Sequence, residues 1–136
     1  MKIALAQLDY HIGNFVENTN NIVLEIKKAQ EFNIDLVVFS ELSICGYPPL
    51  DLLERKDFVG QCIDEINRIA RISSKTAVII GGPSLNPNPE GKMLFNSAYF
   101  LYDGKVQDII HKSLLPTYDI FDEYRHFEPN REFRLI

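Results

Sequence analysis

Three short, nearly continuous apolar runs alternate with two stretches in which apolar residues recur every three or four positions. The runs occupy residues 3–8, 34–40 and 76–80. Strands this apolar are typical of parallel sheets that are covered on both faces. The sequence therefore predicts an α/β fold with the order β-α-β-α-β and helices packed on a sheet. Two helices cover only one face well, so we expect the second layer to be missing or to come from elsewhere.

Both helices have recognisable start signals and inner faces. Asn14 is predicted to cap the first helix together with Glu17, three residues later, and Asn33 is predicted to end it in a left-handed conformation. A second helix is predicted from Asp57 onward. The predicted inner stripes are Phe15, Thr19, Ile22, Ile26 and Ala29 in the first helix, and Phe58, Cys62, Ile66, Ile69 and Ile72 in the second.

The second half of the chain contains turn signals. Gly81-Gly82-Pro83 is predicted to close the third strand as a plain turn. Asp103-Gly104 separates two β-rich runs at residues 96–102 and 105–111, and this dipeptide is the strongest short signal for a β-hairpin. Residues 113–130 are predicted to be irregular, with aromatic side chains that line a site rather than hang free.

Composition excludes several classes of function. The chain of 136 residues has the length of one domain, and its net charge of -5 without basic clusters argues against binding to nucleic acid or an anionic membrane. No apolar run approaches the ~18 residues that a membrane helix needs. The two cysteines fit neither a disulfide framework nor a zinc site, so a reducing cytoplasm is the expected location.

Two residues of opposite charge follow predicted strands. Glu41 comes directly after Phe39-Ser40, and Lys112 follows the run that ends at His111. Ligand sites of open α/β sheets gather at such strand ends. In a dry pocket the carboxylate can act as a base and the ammonium can stabilise an oxyanion. Taken singly, Glu41 is more often a loop ion pair or a helix cap, and Lys112 a surface lysine.

Further candidates lie in the flanking loops. Glu123 is either one acid of an acidic loop or a second carboxylate that directs Lys112. Three aromatic residues are candidate walls of a small-ligand pocket, with ordinary loop packing as the alternative: Tyr47, Tyr118 and Phe121. Cys45 lies close to Glu41 in sequence, but a small buried thiol is the commoner fate of a free cysteine. No set of residues is predicted to bind a metal.

Four stretches carry a resemblance to a known family. They are KIALAQL at residues 2–8, FSEL at 39–42, YPPLDLL at 47–53 and HKSLLPTYDIFDEYRHFEP at 111–129. The chain resembles the nitrilase, or carbon–nitrogen hydrolase, superfamily over essentially its whole length. Within that superfamily the YPPLDLL and LPTYDIFDE runs are most similar to the N-terminal glutaminase domains of glutamine-dependent NAD⁺ synthetases.

The resemblance implies an α-β-β-α sandwich, of which residues 1–136 are the front half, and a Glu-Lys-Cys triad. It assigns Glu41 as the general base, Lys112 as the oxyanion-stabilising lysine and Glu123 as the orienting glutamate, and it places Tyr118 beside the glutamine. The nucleophilic cysteine of the family matches neither Cys45 nor Cys62. We therefore expect the nucleophile-bearing half to lie downstream, and the chain alone to be inactive.

The resemblance also implies partners. Glutamine is the expected substrate, and the ammonia is expected to pass to a synthetase domain that uses ATP and Mg²⁺, while this domain itself needs no cofactor. Homo-oligomers are common in the family. Two alternatives remain open, namely a stand-alone nitrilase-type amidase acting on another small amide, and a non-catalytic binding module of the same fold.

Overall fold

A computed structural model describes residues 1–133 of the chain. Its strands are β1 (Ile3–Ala6), β2 (Leu36–Phe39), β3 (Ala77–Leu85), β4 (Leu94–Tyr102) and β5 (Lys105–His111). Its α-helices are α1 (Phe15–Glu31), α2 (Lys56–Ala70) and α3 (Glu123–His126), and a 3₁₀ helix spans Leu50–Glu54. Among the described residues, no helix has the length and apolar character needed to cross a membrane.

The five strands form one sheet in sequence order, β1-β2-β3-β4-β5. The first three strands are parallel, and β3, β4 and β5 pair antiparallel. The β4–β5 connection is the predicted hairpin, with Asp103 at φ 52° and Gly104 at φ 75°, both in the left-handed region that a two-residue turn requires. The predicted order β-α-β-α-β followed by a hairpin is confirmed.

Helix α1 begins and ends where the sequence predicts. The Asn14 side chain accepts a hydrogen bond from the backbone N–H of Glu17 at 3.3 Å, and its amide donates to the Glu17 carboxylate at 2.6 Å. Asn33 takes φ 51° just after the helix. The whole predicted inner stripe of α1 is buried, and Asn18 is buried with it. Local capping and the apolar stripe therefore specify this helix together.

The core lies between the two long helices and one face of the sheet. Strand residues that face the helices are almost fully buried, among them Val37, Phe39, Val78, Ile80 and Leu101. The helices contribute residues that are equally buried, among them Ile22, Ile26, Cys62, Ile66 and Ile69. Each large apolar side chain buried in this way stabilises the fold by about 1.5–3 kcal/mol relative to its exposed state.

The opposite face of the sheet is apolar but poorly covered. Ile3 is 49% exposed and Leu5 is 75% exposed, although both lie in β1. Leu36, Val38 and Ile79, which alternate with the core residues of β2 and β3, are only half-buried. The residues described here thus supply one helical layer for a sheet that has two apolar faces, as the sequence predicts.

The predicted turn at residues 81–83 is wrong, because β3 runs straight through it and pairs with Ala98, Ser97 and Asn96 of β4. A Cβ atom on Gly81 would lie 2.3 Å from the backbone nitrogen of Leu42, and one on Gly82 would lie 2.6 Å from Ile66 Cδ1. The glycines are therefore needed because backbone and side chains press on both sides of the strand.

Three smaller differences concern boundaries and loops. A 3₁₀ helix, Leu50–Glu54, follows Pro48-Pro49 and was not predicted. The tail predicted to be irregular contains the short helix α3. Strand β1 ends at Ala6 rather than at residue 8, and Ile72, predicted for the second helix, lies beyond its end at Ala70. Sequence patterns predict the boundaries of helices and strands poorly, because the terminal residues contact few neighbours of their own element.

Two glycines provide a matched test of the packing around β3. Gly81→Ala is expected to destabilise the fold by about 1–3 kcal/mol, because the added methyl group collides with backbone atoms that cannot move freely. Gly60→Ala lies in α2 with open space around it, and is expected to stabilise the fold by about 0.5–1 kcal/mol. Melting temperatures measured side by side should shift in opposite directions, and a harmless Gly81→Ala would contradict the packing argument.

Candidate active site

The loop after β2 presses against β3 and holds Glu41 there. Leu42 adopts φ 48°, which reverses the chain immediately after Glu41. The loop then runs back so that the N–H of Ile44 donates to the carbonyl of Gly81 at 3.3 Å. Since Gly81 has no side chain, the backbone of residues 40–42 can lie directly on the strand. Glu41 is therefore positioned by a close backbone approach that only glycine permits.

Lys112 is placed by hydrogen bonds on both sides of its peptide. Its N–H donates to the carbonyl of Asn96 in β4 at 2.8 Å, and its own carbonyl accepts from the N–H of Asn130 at 3.0 Å. The residue directly follows β5, so the strand pairing and these two bonds define where its side chain begins. The lysine therefore projects from a rigid junction rather than from a free loop.

The ammonium of Lys112 lies between two carboxylates. Its Nζ is 2.7 Å from Glu41 Oε1, 2.9 Å from Glu123 Oε2 and 3.1 Å from Glu123 Oε1. The predicted proximity of Glu41 and Lys112 is confirmed, and so is the contact of Glu123 with Lys112. The chemical roles assigned to these three residues remain predictions.

Glu123 is the buried member of this cluster, with 6% of its side chain exposed. Besides Lys112, its carboxylate accepts a hydrogen bond from the Tyr47 hydroxyl at 2.7 Å. A buried carboxylate is tolerated only when a cation and hydrogen-bond donors replace water. Burial, this bond and the negative charges of Glu123 and Glu41 raise the pKa of Tyr47, which keeps the phenol a donor. Glu123 is therefore a fixed acceptor, whereas Glu41 remains partly open to solvent.

The charge of Lys112 is protected by the same contacts. Partial burial by itself disfavours the ammonium form. The hydrogen bonds from Nζ to Glu41 and Glu123, together with the charges of these two carboxylates, outweigh that effect and raise the pKa of Lys112 above its usual value. The side chain is therefore a permanent cation at neutral pH, suited to stabilise negative charge and not to accept a proton.

Asn96 belongs to the cluster and was missed at the sequence level. Its Nδ2 donates a short hydrogen bond to Glu41 Oε1 and a longer one, of 3.4 Å, to Glu123 Oε2. A signal was available, because Asn96 interrupts the apolar strand LFNSAYFLY and asparagine is depleted in strands. A polar residue inside a buried strand needs partners, and here those partners are the two carboxylates.

A cleft of about 290 Å³ opens beside the cluster. Glu41, Asn96 and Lys112 border it, and its apolar wall includes Ile79 and Ile110 from the less covered face of the sheet. The volume suits a small molecule.

The three predicted aromatic residues lie next to one another. The Tyr47 and Phe121 ring centroids are 6.2 Å apart, and those of Tyr118 and Phe121 are 5.4 Å apart. Tyr118 is 68% exposed and borders, with Lys112, an open depression of about 680 Å³. Tyr47 is turned toward Glu123 by its hydroxyl. Their predicted role in binding substrate stays a prediction.

Neither cysteine is positioned as a nucleophile. Cys45 and Cys62 are both fully buried in the core. The Sγ of Cys45 faces the carbonyl of Leu42 at 3.6 Å. Contact with Cys45 and burial raise the pKa of the Cys62 thiol, which keeps it protonated and unreactive. The prediction that both are core residues is confirmed.

Among the described residues, one group of side chains of the kinds that bind metals lies outside the cleft. Asp51, Glu54 and His126 bring potential ligand atoms within 4.8 Å of one another. The guanidinium of Arg125 lies 3.1 Å from Asp51 and 3.4 Å from Glu54, and the two acids are exposed. A surface ion-pair network accounts for this group.

Comparison with known proteins identifies the family. The sequence profile of the carbon-nitrogen hydrolases matches residues 2–133. The chain belongs to the carbon-nitrogen hydrolase family. Glu41 and Lys112 therefore lie in a fold whose members include a solved amidase from Nesterenkonia sp., which shares the fold at a TM-score of 0.79 and 22% identity over 97% of this chain and 49% of its own.

Closer relatives carry a more specific name. The chain is 42% identical over 129 residues to a glutamine-dependent NAD(+) synthetase of Synechocystis sp., and 37% identical to one of Xanthomonas campestris pv. campestris. These matches cover 92% and 94% of this chain, but 23% of each relative. A solved glutamine-dependent NAD+ synthetase from Acinetobacter baumannii superposes with a TM-score of 0.85 at 31% identity, over 98% of this chain and 25% of that one. The hydrolase-family chain thus spans about a quarter of the length of these relatives.

The raised pKa of Lys112 sets a pH dependence of stability. A group whose pKa is raised on folding stabilises the fold below its unfolded pKa, about 10.4 for lysine, and loses that effect as pH rises through the folded value. Lys112→Met should therefore melt below wild type at pH 8 to 10, and the gap should shrink at higher pH. Melting curves of both proteins across this range measure it, with Lys28→Met, an exposed helix lysine, as control. A gap that widens above pH 10.4 would contradict the argument.

Proposed function

We propose that this chain forms the base-and-lysine half of a glutamine-hydrolysing site that supplies ammonia within a glutamine-dependent NAD⁺ synthetase. The observation that carries the proposal is the cluster in which Lys112 Nζ lies 2.7 Å from Glu41 and 2.9 Å from Glu123, beside a cleft of small-molecule size. The names of the relatives that match most of this chain support glutamine as the amide.

Each residue of the cluster has one task in the proposed reaction. Glu41 takes the proton of a thiol, whose sulfur attacks the side-chain amide carbon of glutamine. Lys112 stabilises the oxygen that becomes negative in the tetrahedral intermediate. The protonated Glu41 returns its proton to the leaving nitrogen, ammonia departs, and a glutamyl thioester remains. Water, losing a proton to Glu41, then releases glutamate and restores the thiol.

The contacts of Lys112 leave one donor for the substrate. An ammonium has three N–H donors. One is directed to Glu41 Oε1, and the two oxygens of Glu123 at 2.9 and 3.1 Å share a second. The third N–H is then available to the oxyanion. Glu123, being buried, acts by holding the ammonium in this direction and does not itself exchange protons with substrate.

The attacking thiol comes from another part of the protein. Cys45 and Cys62 are the two cysteines of the chain, and both are sealed in the core. The nucleophile therefore reaches the cleft from a segment outside residues 1–133. The less covered sheet face, which forms one wall of the cleft, is the side from which such a segment has access.

The proposal extends to the rest of the protein. The released ammonia is used by a synthetase domain that amidates deamido-NAD⁺ with ATP and Mg²⁺, and none of the residues described here is assigned to binding these cofactors. The two free thiols favour a reducing, cytoplasmic location. The exposed apolar residues Ile3 and Leu5 support assembly with another layer and, through it, a homo-oligomer.

Two substitutions in the whole protein test the site. Glu41→Gln removes the base and Lys112→Ala the oxyanion cation, and each should lower glutamine-dependent NAD⁺ formation by about a hundredfold or more. Formation of NAD⁺ from ammonium ions should stay close to wild type, because the second reaction bypasses this site. The two rates are measured in parallel with each nitrogen source.

Matched controls separate chemistry from damage to the fold. Glu54→Gln and Lys92→Ala change an acid and a lysine outside the cluster and should leave the glutamine-dependent rate within about threefold of wild type. Cys45→Ala should also retain activity, since this thiol is buried. Full activity of Glu41→Gln would refute the catalytic proposal, and hydrolysis of acetamide in preference to glutamine would point to a stand-alone amidase.

A further inference from the structure

The two carboxylates of the site are joined by a neutral side chain as well as by the lysine. Asn96 Nδ2 donates to Glu41 Oε1 and, at 3.4 Å, to Glu123 Oε2. The asparagine is 3% exposed, so water does not replace these bonds. One amide group therefore spans the gap between an open carboxylate and a buried one.

The backbone of Asn96 is as rigid as its surroundings. It pairs with Pro83 of β3, and its carbonyl accepts the N–H of Lys112 at 2.8 Å. The amide of Asn96 and the ammonium of Lys112 thus start from neighbouring points of one hydrogen-bonded junction and converge on the same oxygen of Glu41. Their relative position is set by strand pairing, not by a flexible loop.

This arrangement treats the two oxygens of Glu41 differently. Oε1 accepts from both Lys112 Nζ and Asn96 Nδ2. Within residues 1–133, no hydrogen bond reaches Oε2. Two donors on one oxygen fix the plane of the carboxylate and leave the lone pairs of the other oxygen for a proton. If Lys112 were its only partner, the Glu41 side chain, which is 42% exposed, would be free to rotate about that single contact.

We propose that Asn96 is a positioning residue of the hydrolase site, which aims Glu41 Oε2 at the group to be deprotonated by holding Oε1 and anchoring it to Glu123. The inference rests on the proposed function, because it names the group that directs the proposed base. It makes Asn96 a donor to the base, whose side chain is almost wholly enclosed although it borders the cleft.

A pair of variants separates donation from packing. Asn96→Ala removes both the donor and the volume, and Asn96→Leu removes the donor while it fills nearly the same space. If the hydrogen bonds matter, both should lower kcat for glutamine hydrolysis by about tenfold to a hundredfold, the usual effect of losing a bond to a charged group. KM should stay within about threefold of wild type, since the amide nitrogen of Asn96 is engaged by the two carboxylates.

Asn18 offers a matched control. It is another fully buried asparagine, but its amide bonds to the backbone carbonyls of His11 at 2.8 Å and Ile44 at 3.3 Å, outside the ion cluster. Asn18→Ala should lower the melting temperature by an amount similar to Asn96→Ala and leave kcat within about threefold of wild type. All rates are compared in the whole protein at temperatures where every variant is folded.

Lys112 provides a readout that does not depend on activity. When Asn96→Leu releases Glu41, the ammonium loses part of the contact that raises its pKa, so the pKa of Lys112 should fall relative to wild type. NMR titration of the labelled lysine side-chain nitrogen measures this, and Asn18→Ala should leave it unchanged.

The outcomes are distinguishable. A loss of kcat in both Asn96 variants with a nearly constant KM and a lowered Lys112 pKa supports the inference. Wild-type kcat in Asn96→Leu, or an equal loss in Asn18→Ala, overturns it while glutamine hydrolysis by the wild type still stands. A wild-type protein that hydrolyses no glutamine refutes the proposed function instead, and the Lys112 titration then decides whether Asn96 holds Glu41. An unchanged Lys112 pKa in Asn96→Leu overturns the inference in that case as well.

Discussion

An ammonium held between two carboxylates is the interaction around which this chain is organised. Lys112 donates to Glu41 at 2.7 Å and to the buried Glu123 at 2.9 Å. Without the cation, two negative groups would face each other in a partly dry site, and the buried one would have lost its counter-charge. With the cation present, Glu123 is held in an enclosed position and Glu41 in an accessible one.

The topology of the sheet brings Glu41, Lys112 and Asn96 together. Glu41 follows the parallel strand β2, Lys112 follows the antiparallel strand β5, and Asn96 lies in β4, the neighbour of β5. Their alignment depends on Gly81, where the loop that carries Glu41 lies against the backbone of β3. The segment that resembles a turn in the sequence is thus the part of β3 against which the loop carrying Glu41 packs.

Local signals were sufficient to predict much of this structure. The cap at Asn14, the buried stripe of α1 and the Asp103-Gly104 hairpin each depend on residues close together in sequence, and each was confirmed. The prediction for residues 81–83 was wrong because Gly81 and Gly82 are required by close contacts with Leu42 and Ile66, which lie far away in the chain. Glycine has the same appearance in a turn and in a crowded strand.

Some residues of the candidate site could likewise be predicted from the sequence, and others could not. Glu41 and Lys112 could be paired from sequence because both follow strands that end at one edge of the sheet. Asn96 could not be placed with them, since its role arises from strand register and from the direction of one amide group. The hydrogen bond from Tyr47 to Glu123 could not be predicted either, because it joins a loop residue to the first residue of α3, 76 positions later.

The less covered face of the sheet has a consequence for the electrostatics of the ion cluster. Ile79 and Ile110, which border the cleft, belong to the same surface as the exposed Ile3 and Leu5. A layer packed on this apolar face would also cover the cleft and lower the dielectric constant around Lys112, Glu41 and Glu123. The attraction between the ammonium and its two carboxylates would then be strongest in the covered state, which links the strength of this ion cluster to the packing of the sheet.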